Sequence, residues 1–136
     1  MSYAMAQALQ TAVYARLAGD AALSALVGDA IFDARPAGAV PPLHVALGAE
    51  KVRDASDADG AGAVHDLTIS VVGTAAGFAG VKAAAAAVND ALAWGALLLT
   101  RGRVLDLRLT RAQAARVGSG DVRRIDLIFR ARLSDD

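Results

Sequence analysis

The feature that most constrains the fold of this chain is a period-two alternation of apolar and polar residues. It recurs in residues 43–50, 65–71, 104–116 and 124–133. Side chains of a strand point alternately to its two faces, so this period predicts strands that bury one face. Strands that follow one another along the chain most simply pair antiparallel. The first two stretches therefore predict a long β-hairpin, whose connection from Lys51 to Val64 consists largely of Ala, Gly, Asp and Ser.

Within each alternating stretch, the apolar positions show which side chains face the core and which face away. Leu47 falls in phase with the apolar residues before it, whereas Glu50 falls in the opposite phase. In the third stretch Leu105 shares the phase of the other leucines. We therefore expect Leu47 and Leu105 to face the core and Glu50 to face away from it.

Helical spacing fills the segments between the strands. Apolar residues recur every four positions from Met5 to Leu17, and at three- or four-residue spacing from Phe78 to Leu92. Ser2 is predicted to cap the first helix, and Asp20 is predicted to cap a short helix with the sequence AALSALV. These spacings predict two main helices and one short helix.

The order of these elements, with a short strand at residues 31–32, predicts an α+β fold. We expect an antiparallel sheet of about four to five strands with two main helices packed on one face and a long β-hairpin loop. Residues 1–136 are predicted to form a single domain. Trp94, at the end of the last helix, is expected to cover the core or to anchor a contact.

Composition narrows the classes of function. The chain has no cysteine, so neither a disulfide framework nor a thiolate site is expected. Fourteen basic and fourteen acidic residues give a net charge of zero, which is poor support for general binding to nucleic acid or membranes. The charge is uneven, however, because residues 1–100 hold nine acids and five bases, whereas residues 101–136 hold nine arginines and five acids. One end of the chain could therefore attract the other end of a second copy.

Neither a membrane span nor a secretory leader is visible in the sequence. No apolar run reaches the roughly 18 residues that a membrane helix requires. The N-terminal residues MSYAMAQALQTAV lack a basic leader and carry glutamines among the apolar positions. We expect a protein without a membrane partner that acts where it is synthesised.

No residues form a convincing catalytic, cofactor or metal site. His44 and His65 are the only imidazoles, and with Asp66 they are the residues that a small enzyme or ligand-binding domain would use, which remains an alternative. His65 and Asp66 point to opposite faces of a strand, and both histidines are expected at the sheet surface or rim. The glycines of GTAAGFAG lack the pattern of a phosphate-binding loop, so we expect a plain strand-to-helix connection there.

Charged residues of the hairpin and the last strands are the candidate interface. Several arginines share one face of the last strand with Asp126, and no outward aromatic residue accompanies them, so ion pairs across strands or subunits are favoured over nucleic-acid binding. The predicted interface residues are Lys51, Arg53, Asp54, Asp57, Asp59, Arg108, Arg124, Asp126, Arg130 and Arg132.

The chain resembles the tail-completion and tail-terminator proteins of long-tailed, siphovirus-like phages and of alphaproteobacterial gene transfer agents. The resemblance rests on the order and spacing of five blocks, which are ALQTAVYARLAGDAALSALVGDAIFDARP, PPLHVALG, HDLTISVVG, GVKAAAAAVNDALA and GDVRRIDLIFRARL. Two family features are missing, namely an aromatic residue near Leu43 and a tryptophan near Val72. These departures affect expected core packing more than the family assignment.

The resemblance implies a structural virion protein without catalytic residues or cofactors. It implies a homo-oligomeric ring, a hexamer, that caps the head-proximal end of the tail tube and joins the tail to the neck. The implied partners are the tail tube protein and a head or neck connector, with DNA passing through the ring without sequence-specific binding. The implied location is the tail or neck of a phage-like particle assembled in the bacterial cytoplasm. A head-side neck adaptor ring of the same fold is the alternative.

Overall fold

A computed structural model describes residues 2–33, 40–58, 60–74, 78–118 and 122–136. The predicted α+β fold is confirmed, with three helices and five strands among these residues. In chain order the elements are α1 (Ala6–Ala18), α2 (Ala21–Val27), β1 (Ile31–Phe32), β2 (Leu43–Asp54), β3 (Gly62–Gly73), α3 (Ala79–Ala93), β4 (Arg103–Val117) and β5 (Val122–Ser134).

The five strands form one sheet in the order β1-β2-β3-β5-β4. The short strand β1 pairs parallel with β2, and the other neighbouring strands pair antiparallel. The β3–β5 ladder is continuous from Gly62, which pairs with Ser134, to Gly73, which pairs with Arg123. The two edges of the sheet are therefore unlike, since one is the two-residue β1 and the other is the fifteen-residue β4.

The helices cover one face of the sheet, as predicted. The buried residues of α1 are at the predicted spacing, and α3 buries Val81, Val88 and Leu92 with four alanines. These side chains pack against the apolar phase of β3 and β5, including Ile69 and Phe129. Because alanine fills much of α3, the layer between helix and sheet is thin.

The helix ends follow local capping chemistry only in part. Asp20 caps α2, because its Oδ2 accepts a hydrogen bond of 2.9 Å from the Leu23 amide. The Ser2 prediction is wrong, since α1 begins at Ala6 and the Ser2 hydroxyl instead accepts from the Ala4 amide. Arg16 donates hydrogen bonds to three carbonyl oxygens at the end of α3, those of Ala91, Trp94 and Ala96. The bond to Ala91 is 3.0 Å long and the bond to Ala96 is 3.1 Å long. A side chain distant in sequence therefore satisfies the C-terminal carbonyls of α3.

The predicted hairpin is present, and its strands extend into the segment between Lys51 and Val64. Paired strand continues to Asp54 and resumes at Gly62, so residues 55–61 form the connection. A bulge in β2 lies between Leu47, which pairs with Ile69, and Glu50, which pairs with Leu67. The bulge adds one residue to β2 and turns Glu50 to the helix side. The predicted outward position of Glu50 is therefore wrong.

The edge strand β4 departs from its predicted pattern. Register shifts occur between Val104 and Asp106 and again between Leu109 and Arg111. The first shift moves Leu105 off the buried face, so 49% of its surface is exposed, against the prediction. From Arg111 to Val117 every residue of β4 is exposed.

Candidate functional site

The open face of the sheet, opposite the helices, gathers most of the predicted interface residues. Two rows of paired residues cross this face from strand to strand. One row is Lys51, Asp66, Arg130 and Arg108, and the other is Arg53, Val64, Arg132 and Asp106. Side chains paired across strands lie on the same face. We call this surface the open face; its charged residues are Lys51, Arg53, Asp66, Arg103, Asp106, Arg108, Arg111, Arg124, Asp126, Arg130 and Arg132. Eight bases against three acids make it electropositive.

The best-ordered part of the open face is a three-residue network. Asp126 Oδ1 accepts hydrogen bonds of 2.6 Å from the Ser70 hydroxyl and 2.8 Å from Arg124 Nε. Arg124 Nη2 also lies 3.1 Å from the Ser70 hydroxyl oxygen, which accepts this third bond. Partial burial opposes the charged form of Asp126, but the bonds from Ser70 and Arg124 outweigh it and lower the pKa of Asp126.

Two further ion pairs lie on the same face. Arg130 Nε is 3.0 Å from Asp66 Oδ1, and Arg108 Nε is 3.5 Å from Asp106 Oδ2. Both pairs are partly solvated, so each contributes little to the stability of the fold. The open face therefore keeps a net positive charge.

One end of the open face is mainly apolar. A trough of about 400 Å³ is lined there by Phe32, Ala46, Val72, Val117 and Val122, with the polar residues His44, Ser70 and Arg124. The His44 ring lies beside Phe32, with the ring centroids 5.8 Å apart. The open face therefore combines an apolar end with an arginine-rich centre, a mixture common in protein interfaces.

The predicted acids of the hairpin lie apart from the arginines of β5. Asp54 Oδ1 accepts a hydrogen bond of 2.6 Å from the Ser56 hydroxyl and one of 3.1 Å from the Ser56 amide. These bonds lower the pKa of Asp54. Asp57 Oδ1 accepts 3.0 Å from the Gly60 amide. The predicted Asp59 lies outside the described residues. Asp57 and Arg132 both line a cavity of about 240 Å³ at the hairpin tip.

The structure does not bring the two histidines together. His44 lies on the open face, whereas the His65 ring is fully buried on the helix side, which contradicts its predicted place at the surface or rim. His65 Nδ1 bonds to Glu50 Oε2 at 3.1 Å, and the bulge in β2 makes this contact possible. Within the described ranges no three His, Asp or Glu residues are arranged to hold a metal ion.

Two apolar side chains after α3 are unexpectedly exposed. Trp94 is 77% exposed and Leu98 is 90% exposed, so Trp94 does not cover the core. The Arg16 guanidinium lies 5.7 Å from the centre of the Trp94 ring and fixes the adjoining carbonyls. Among the described helices, none is both long and apolar enough to cross a membrane.

The sequence analysis missed Arg123. Arg123 lies two residues before Ile125, so it falls on the same inward face of β5, and it is buried under the first turn of α3. The signal was its phase in the alternation, since Arg124 occupies the outward position.

Comparison with known proteins agrees with the predicted resemblance. Residues 11–134 match the model of a family described as tail completion protein gp17. A chain from a solved structure, the virion of a native gene transfer agent particle, has 59% sequence identity and a TM-score of 0.92 to this chain. That similarity covers 98% of this chain and 99% of the other. No curated protein sequence matches.

Proposed function

This chain belongs to the tail completion protein gp17 family, and from that membership we propose that it is a structural virion protein. In this proposal it forms a hexameric ring at the head-proximal end of a tail tube, where it ends tube growth and joins the tail to the neck. The observation that carries the proposal is the 59% identity, over nearly all of both chains, to a component of a gene transfer agent virion.

The unlike edges of the sheet support a head-to-tail ring. A subunit that presents different surfaces at its two sides makes heterologous contacts, which close into a ring when the rotation between copies permits. Here one side carries the short β1 beside α2, and the other carries the exposed end of β4. The first hundred residues are acidic and the last thirty-six are basic, so opposite charges favour this pairing.

The open face is the surface proposed to contact the tail tube or the neck. Its arginines are held by acids of the same sheet at Arg124–Asp126 and Arg130–Asp66, so the charges are prearranged before a partner binds. No exposed aromatic ring lies among the described charged residues of this face, so DNA passing through the ring would find no stacking platform. Catalysis has no part in the proposal.

Light scattering over a concentration series, followed by negative-stain imaging, tests the ring. We expect a species with the mass of a hexamer, either alone or on addition of purified tail tubes. A protein that stays monomeric in both conditions would contradict the ring.

Pull-down with purified tail tubes and with head connectors tests the role in the particle. Wild-type protein is expected to bind tube ends, whereas Arg130→Glu with Arg132→Glu should fold normally and bind them at least about tenfold more weakly. Arg101→Glu, an exposed position before β4 that lies outside the open face, is the control for tube binding and should bind like wild type. Binding to head connectors without binding to tubes would assign the protein to the head side of the neck instead.

A further inference from the structure

Arg123 is a buried cation without a counter-ion in the described structure. Only 7% of its surface is exposed, and its Nε and Nη1 have no hydrogen-bond partner. Its Cζ lies 5.5 Å from the centre of the Phe78 ring, and Phe78 is the N-cap residue of α3. A buried guanidinium without hydrogen bonds is costly, so an anion that satisfied it would be bound with substantial gain.

Two more cations and a helix N-terminus lie near Arg123. Arg116 pairs directly with Arg123 across β4 and β5, and like charges in that position repel. Lys82 Nζ lies 5.7 Å from the centre of the Phe78 ring, which Arg123 also contacts. Among the described residues no side chain caps the N-terminus of α3, and its first turn contains no acid. The free amides of that turn add positive potential to this cluster of Lys82, Arg116 and Arg123.

The geometry favours a carboxylate side chain as the anion. Arg123 is only 7% exposed and lies against Phe78, so a slender group fits it better than a broad one. A carboxylate can accept two parallel hydrogen bonds from a guanidinium. A backbone phosphate of DNA, flanked by its sugars, is too broad for such an approach.

Asp29 lies at the opposite edge of the sheet, near the same end of the sheet as the cluster. Leu43 pairs with Gly73, Gly73 with Arg123, and Arg123 with Arg116. Ile31 pairs parallel with Val45, and Asp29 lies in the turn two residues before Ile31. Asp29 is exposed, and no ion pair to it is seen within the described part of the chain. Sheets placed edge to edge with these ends together would bring Asp29 of one copy near Arg116 of the next.

We infer that the Asp29 carboxylate of one copy binds between Lys82, Arg116 and Arg123 of the neighbouring copy. This contact rests on the proposed ring and identifies the two sides that meet in it. It gives Arg123 an anion that the described residues of its own chain do not provide.

Charge reversal tests the contact, with solution mass and association constants from light scattering as the readout. Asp29→Arg, and separately Lys82→Asp with Arg116→Asp, should each weaken association about 30-fold or more. Combining all three substitutions should raise the association constant at least about tenfold above that of either variant. Asp90→Arg matches the charge change of the first variant, and Arg101→Asp with Arg103→Asp matches that of the second; these exposed positions are the controls and should assemble like wild type.

The outcomes separate this contact from the ring itself. If wild type forms rings and the reversed variants assemble equally well, or the triple variant regains nothing, the contact is wrong and the ring stands. If wild type stays monomeric even with tail tubes, the ring is wrong, and so is the contact between copies. The acceptor cluster is then judged alone by titrating the monomer with acetate. A saturable shift of the Arg123 Nε–H resonance, absent with chloride at equal ionic strength, supports the cluster, and no shift overturns it.

Discussion

His65 Nδ1 lies 3.1 Å from Glu50 Oε2 on the helix side of the sheet, where the His65 ring has no contact with solvent. Nε2 of the same ring has no hydrogen-bond partner, so Glu50 supplies its side-chain bond. Glu50→Ala should therefore lower the free energy of unfolding by about 1–3 kcal/mol, the cost of a buried polar group left unpaired. Urea unfolding measures the change, and Glu50→Gln, which keeps an acceptor oxygen, should cost less. Equal stability of Glu50→Ala and wild type would show that the bond contributes nothing.

Glu50 also controls the ionisation of Tyr3. The Tyr3 hydroxyl donates to Glu50 Oε1 at 3.2 Å. Coulombic repulsion between the carboxylate and the phenolate, followed by this hydrogen bond, raises the pKa of Tyr3. In Glu50→Gln, Tyr3 should titrate at a lower pH than in the parent protein. Ultraviolet absorbance of tyrosinate in a Tyr14→Phe background reports Tyr3 alone, and an unchanged curve would contradict the assignment.

Gly102 occupies a position where both conformation and space require glycine. Its φ is +72°, and a Cβ there would approach the Ser134 carbonyl oxygen to 2.7 Å and also meet Met5. Gly102→Ala should destabilise the protein by about 3 kcal/mol in thermal or urea unfolding. Gly118, with φ +68° and open space around a Cβ, is the matched control, for which Ala should cost about 1 kcal/mol. Equal losses at the two positions would remove the steric part of the explanation.

The Asp126 network should make stability depend on pH. The lowered pKa of Asp126 means that the unfolded state binds a proton more readily than the folded state does. Its contribution is therefore present above the ordinary carboxyl pKa of about 4 and is lost as the pH falls through the lower folded value. Unfolding of Asp126→Asn and wild type should differ more at pH 6 than at pH 2.5. A pH-independent difference would mean that the carboxylate charge has no role.

Arg16 should stabilise the end of α3 through its bonds to Ala91, Trp94 and Ala96. Arg16→Ala removes them and should lower the free energy of unfolding by about 1–3 kcal/mol, because charged hydrogen bonds to carbonyl groups are stronger than neutral ones. Hydrogen exchange should quicken most at the last turn of α3. Arg111→Ala, on the exposed edge strand, is the control and should change stability by less than about 0.5 kcal/mol. Faster exchange throughout the protein, with none localised to α3, would argue against a capping role.

Much of the candidate surface was predictable because alternation is a property of the local chain. The outward positions of β5, which has no bulge against β3, hold Arg124, Asp126, Arg130 and Arg132. On β4 the alternation resumes after the first bulge, so Arg108 also faces outward. Whether any of them contacts another protein stays a prediction. The place of Ser70 in the network with Arg124 and Asp126 was not predictable, because strand order decides which side chains become neighbours.

The sequence by itself determined the α+β class, the apolar phases of β3, α3 and β5, the cap at Asp20 and the division of charge along the chain. Each depends on residue type and on spacing within one segment. Only the tertiary structure decided that Glu50 meets His65 and that Leu105 faces solvent. Those outcomes depend on bulges and on strand pairing between distant segments, where the energy of the whole sheet overrides the local period.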